Sequence, residues 1–113
     1  MTKAALKATN PYVITTTTPL GISETYTTDV IDTAGYSQVD WIVRADQDSA
    51  VLGVAFEWSV DGLAPDYIEQ NADYTGTTLH GTLTPKARYL ICVYVNGGVA
   101  NSLFRHQVVL KPF

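Results

Sequence analysis

The chain has little of what small active sites are usually built from. Among its 113 residues there is one cysteine, Cys92, and two histidines, His80 and His106. A lone thiol excludes an internal disulfide framework and a zinc site made of cysteines. Lysine and arginine together number seven against eleven acidic residues, a net charge of −4. Gripping a phosphate backbone needs clustered cations, so nucleic acid is not expected as a partner. No stretch approaches the roughly 20 apolar residues of a membrane-spanning helix, and no membrane partner is expected. The opening, MTKAALKATNP, has a single large aliphatic residue, Leu6, too few for the apolar centre of a secretory signal. Synthesis and folding in a cytoplasm are therefore expected.

Catalytic motifs are also missing. No G-x-S-x-G elbow occurs, no Ser or Cys has a motif-level histidine partner, and no glycine loop is suited to phosphate. His80 and His106 lie on different expected strands, and a zinc site wants at least three protein ligands. His106 interrupts an apolar face and is expected to be a hydrogen-bonded core or interface histidine. His80, between Leu79 and Gly81, is expected at a surface or interface. Asp46 and Asp48 have the spacing seen in some calcium loops, and Asp61, Asp66 and Asp73 lie in or beside an irregular loop. None fits the twelve-residue calcium pattern with its terminal Glu, so solvated turn residues are expected. No metal, cofactor or enzymatic activity is expected.

What is present is β-forming. Fifteen Thr, twelve Val and seven Tyr accompany a hydrophobic content of 46% and a charged content of 16%. Branched and aromatic side chains suit a pleated, half-buried surface, and the chain is long enough for one core. Gln38 to Asp46 alternates: Val39, Trp41, Val43 and Ala45 share one face, Gln38, Asp40, Arg44 and Asp46 the other, and only Ile42 breaks the polar side. Ala50 to Val60 places Leu52, Val54, Phe56, Trp58 and Val60 together, ending at Asp61-Gly62. Further strands are expected over 12–18, 25–31, 77–84, 88–95 and 102–110, with a short edge strand at 67–70. Leu90, Cys92 and Tyr94 alternate with Tyr89, Ile91, Val93 and Val95, both sides apolar, as in a central strand. Asn96-Gly97-Gly98 reads as a positive-φ hairpin turn joining the last two strands antiparallel. Trp41, Phe56, Trp58, Tyr89 and Phe104 are the expected large core residues. The fold class expected is an all-β, antiparallel, jelly-roll-like sandwich of seven to eight strands, with no substantial helix. An N-terminal arm over residues 1–11 precedes a single domain over 12–113.

Ala87-Arg88-Tyr89, Val93-Tyr94-Val95-Asn96-Gly97, Ala100, Phe104-Arg105 and Val109-Leu110 form the most distinctive part of the chain. Upstream stand Glu24-Thr25-Tyr26-Thr27-Thr28-Asp29, Gly35-Tyr36-Ser37, Val43-Arg44-Ala45-Asp46-Gln47 and Glu57-Trp58-Ser59-Val60-Asp61-Gly62. Together these resemble a β-sandwich module of tailed-bacteriophage virion proteins, found in head-decoration, fibre and other tail-associated chains. Leu63-Ala64-Pro65 departs from the aromatic that often follows the Asp-Gly turn there, which implies a rebuilt loop.

The resemblance implies a virion structural protein with no active site to carry over. A free-standing chain with its own Met1 and an acidic surface suits a decoration (cement) protein on the outside of the head, bridging capsomers. It implies the major capsid protein as partner and a homo-oligomer, a trimer by analogy. Candidate contact residues are Lys3 and Lys7 in the arm, Tyr12 at its end, and Tyr67 and Tyr74 in the 63–76 region, where exposed rings can anchor a partner or stack on sugars. The alternatives are a carbohydrate- or receptor-binding module of a tail or fibre, and a tail or neck connector. The Thr-rich 12–18 segment is expected to be paired within the fold or against a neighbouring subunit.

Overall fold

The structure, a computed structural model, describes residues 12–75 and 78–113. Strands among these residues are β1 (Tyr12–Thr16), β2 (Thr25–Thr27), β3 (Ile31–Asp32), β4 (Tyr36–Ala45), β5 (Ser49–Ser59), β6 (Tyr67–Ala72), β7 (Leu79–Leu83), β8 (Tyr89–Asn96) and β9 (Phe104–Pro112). No helix occurs among the described residues. The strands form two antiparallel sheets, β1-β9-β4-β7 and β2-β8-β5-β6, with β3 also paired to β8. The expected arm, residues 1–11, lies outside the described residues, and Lys3 and Lys7 with it.

Alternation places the core as expected on β4, where Val39, Trp41, Val43 and Ala45 are buried and Ile42 and Arg44 are exposed. β9 answers in register: Leu110, Val108, His106 and Phe104 stand opposite those four residues. From the other sheet come Val54, Phe56 and Trp58 of β5 and Leu90, Cys92 and Tyr94 of β8, all fully buried. Trp41 meets Phe56 across the core with ring centroids 5.1 Å apart, and Tyr94 meets Phe104 at 4.8 Å. β8 is central, between β2 and β5, as its two apolar sides require. The Thr-rich β1 pairs with β9 from Tyr12↔Leu110 to Thr16↔His106, so over residues 12–16 this segment is paired within the fold, as an edge strand.

Several expectations change. The 25–31 segment is two short strands, because the Thr28 hydroxyl accepts from Cys92 N at 3.0 Å while Thr28 N donates to Cys92 O at 3.0 Å. A side chain thus takes the place of a backbone carbonyl and the ladder breaks. Leu52 and Val60 are exposed, not core. Leu52 sits in a register shift between Ser49 and Val54 with φ of 52°, and Val60 lies past the end of β5. Tyr89 is half-buried on the outer side of the five-stranded sheet, its ring centroid 5.2 Å from the Arg88 guanidinium carbon.

The largest correction concerns Asn96-Gly97-Gly98. β8 and β9 belong to different sheets, so the connection is a crossover and not a hairpin. Among the described residues the positive-φ glycines are Gly35 and Gly62; Gly97 and Gly98 are not among them. Gly97 is required for closeness instead: a Cβ there would lie 2.6 Å from Asp48 O and 3.2 Å from Ser49 O. Asn96 anchors the crossover by donating from Nδ2 to Gly21 O at 2.8 Å and Val99 O at 3.0 Å. Asn101 Oδ1 accepts from Leu20 N at 2.7 Å. Both asparagines are buried, which fixes the path between the sheets.

Candidate functional site

The residues best suited to chemistry are committed to the fold. Cys92 is fully buried on β8, and burial pushes its thiol up to about 12, so it is not a thiolate at neutral pH. His106 is 1% exposed on β9. Its ring packs edge-on against Tyr26 at 5.2 Å and lies 6.2 Å from Phe104. Neither ring nitrogen has a hydrogen-bond partner among the described residues, so the expected hydrogen-bonded histidine is instead an apolar-packed one. Burial lowers its pKa to about 4, and the ring is neutral near pH 7. His80 is exposed on β7, in register with Ile42.

The carboxylates close turns. Asp46 accepts from Ser102 N at 3.0 Å, Leu103 N at 3.2 Å and the Ser102 hydroxyl, and these hydrogen bonds, the hydroxyl's first, hold its pKa down. Asp61 accepts from Leu63 N at 2.9 Å and the Ser59 hydroxyl at 3.1 Å. Asp66 accepts from Val60 N at 2.9 Å, and Asp73 from Leu52 N. Among the described residues no group of three or more His, Cys, Asp or Glu is placed to hold a metal ion.

The expected contact tyrosines are not brought together. Tyr67 is half exposed on β6, an edge strand of the five-stranded sheet. Tyr74 is 1% exposed, with its hydroxyl donating to Ala45 O and its N donating to Ser49 Oγ at 2.9 Å. It plugs the end of the sandwich and offers no ring to a partner. The 63–76 region looks irregular in sequence, but the Tyr74 ring belongs to the hydrophobic core and its hydroxyl meets the carbonyl at the end of β4. Tyr12 begins β1 opposite Leu110.

One surface of the molecule arises from strand pairing and is not visible residue by residue. On the outer side of the four-stranded sheet, Arg44 of β4 stands directly opposite Arg105 of β9, and Ile42 opposite Gln107. A groove of about 310 Å³ crosses this side, lined by Thr15, Thr17, Ile42, Arg44, Thr78, Arg105, His106 and Gln107. At the other end of the same side Lys111 and Asp40 form an ion pair at 2.7 Å, which Gln38 and Thr82 support by hydrogen bonds to Asp40. A second hollow, of about 390 Å³, separates β1 from the 26–31 segment and includes Asp29. The alternation of β4 and β9 puts each arginine on an outward face, but only the strand register makes them neighbours.

No protein-family model matches this chain, and no curated protein matches it by sequence. Solved structures do. The PBSX exported protein XepA superposes with a TM-score of 0.71 at 19% identity, over 94% of this chain and 38% of that one. This chain therefore spans well under half of that protein's length. A chain from the disulfide-linked pili of Bacillus endospore appendages matches at 9% identity with a TM-score of 0.46, covering 92% of this chain and 90% of its own. The described residues thus have an all-β sandwich fold that also occurs in the PBSX exported protein XepA.

Proposed function

We propose that this chain is a bacteriophage virion structural protein, and more specifically a decoration protein that binds the outside of the head and stabilises it by bridging capsomers. The observation that carries the reading is the sandwich shared with the phage PBSX exported protein over 94% of the chain. It agrees with the resemblance of the strand-end segments to tailed-phage virion modules. The mode of action is adhesion rather than catalysis. In support, the thiol and one imidazole are buried in the core, and the carboxylates of Asp46, Asp61, Asp66 and Asp73 hold loops. Many weak contacts repeated by symmetry suffice to raise the barrier to shell opening. The partner in this reading is the major capsid protein, and the working form is a homo-oligomer, a trimer by analogy with decoration proteins.

The test is made on particles. Heads assembled with and without the protein are heated and scored for DNA release, and a particle reconstruction locates the subunit. The expected result is density on the outer shell and release at a lower temperature without it. Density confined to the tail tip, or heads equally stable without it, rejects the role. The half-exposed Tyr67 on an edge strand favours a second reading, a glycan- or receptor-binding module of a tail or fibre. Saturable binding on a glycan array that Tyr67→Ala abolishes would establish that reading in place of the first.

A further inference from the structure

The outer side of the four-stranded sheet carries an electrostatic oddity. Like charges placed directly opposite on neighbouring strands repel, yet Arg44 and Arg105 occupy such a pair. Among the described residues neither guanidinium makes an ion pair or a side-chain hydrogen bond; the two ion pairs are Arg88–Asp32 and Lys111–Asp40. Residues 1–11, 76 and 77 contain no Asp or Glu, so no carboxylate side chain outside the described set can neutralise the pair. Asp46, two positions beyond Arg44, is the nearest acid in sequence, and its carboxylate is engaged by Ser102 and Leu103. Two cations without an ion-pair partner thus face outward on a chain of net charge −4.

Between them the surface is suited to a chain in extended form. Ile42, 42% exposed on an otherwise polar side, supplies an apolar floor. Thr15, Thr17, Thr78 and Gln107 rim the groove with hydroxyl and amide groups, and Gln107 Nε2 already donates to Thr15 Oγ1 at 3.1 Å. The groove runs from β1 across β9 and β4 to the residue before β7, three strand spacings or about 14 Å. That is the reach of roughly four extended residues.

We propose that this groove docks an extended acidic segment of a partner protein, with the Arg44 and Arg105 guanidiniums binding its carboxylates. Guanidinium forks match carboxylates bidentately, and one bridging acidic side chain relieves the repulsion between the two arginines. A nucleic acid is a poorer occupant, because its phosphates continue past the roughly four-residue groove into the field of an acidic protein, whereas a short acidic segment ends with it. The groove's chemistry does not depend on the virion reading; a shell protein is one partner that can present such a segment.

The test is an NMR titration of the full chain with end-blocked tetraglutamate at low salt. Tetraglutamine, inorganic phosphate and a short oligothymidylate serve as comparison probes, and R44Q and R105Q as variants. Saturable shifts at Thr15, Ile42, Arg44, Arg105 and Gln107 are expected for tetraglutamate. They should be absent for tetraglutamine, and affinity should weaken at least about threefold in each variant and at high salt. Each variant also removes the like-charge pair, so its melting temperature should equal or exceed the parent's. R44K and R105K, which keep the charge but lose the fork, should bind with intermediate affinity. Shifts elsewhere, no saturation, or binding indifferent to all four variants overturns the proposal. So does tighter binding of phosphate or oligothymidylate, or a concentration-dependent dimer abolished by R44Q, which would make a second copy the occupant.

Discussion

Trp41 lies 3% exposed on β4, with Phe56 of the facing sheet 5.1 Å away and Gly81 of β7 in register beside it. A Cβ on Gly81 would come within 2.9 Å of the Trp41 Nε1, so the indole fills space that its neighbour leaves empty. Trp41→Ala removes that body from a packed interior and should cost about 3–5 kcal/mol, read as a shift of the urea midpoint with unchanged slope. His106 makes stability depend on pH. Burial depresses its pKa from 6.5 to about 4, so the unfolded chain binds the proton more readily throughout that interval. Stability from this group is therefore complete above pH 6.5 and is lost as pH falls through about 4, by about 3 kcal/mol in all. Urea titrations at several pH values measure it. In His106→Leu this contribution should vanish, with stability at neutral pH equal to or above the parent's because two unpartnered ring nitrogens leave the core.

At the scale of elements, the crossover from β8 to β9 shows how one short motif admits two structures. Asn-Gly-Gly after an alternating strand favours a hairpin, because both residue types tolerate positive φ. Here Gly97 serves close backbone approach, with Asp48 O where a side chain would stand. Gly97→Ala should destabilise the fold by roughly 1–3 kcal/mol through overpacking, measured by thermal or urea unfolding. A hairpin turn resting on positive φ at this position would predict strain without that clash. The positions of β4, β8 and β9 and the inward faces of β4 and β9 were legible in the sequence because period-two alternation is local, whereas β8, apolar on both sides, did not show which side faces in. The split of 25–31 at Thr28 and the shift that exposes Leu52 were not, since both arise from partners far along the chain: Cys92 for Thr28 and Asp73 for Leu52.

For the molecule as a whole, nearly every strand lies beside one remote in sequence: β1 beside β9, β4 beside β9 and β2 beside β8. Chains dominated by such pairings close long loops before contacts compensate, so refolding is expected on the millisecond-to-second scale in stopped-flow fluorescence of Trp41 and Trp58. Microsecond refolding would contradict this account of the topology.

The sequence by itself determined a β-rich, acidic chain with a single thiol and the inward residues of β4 and β9. Tertiary structure decided which sheet each strand joins. Through that choice it placed Tyr74 in the core, His106 among aromatic rings, and Arg44 across from Arg105. The reason is physical. Side-chain direction along a strand follows from the local pleat, whereas cross-strand neighbours depend on register between segments far apart in the chain, such as β4 and β9.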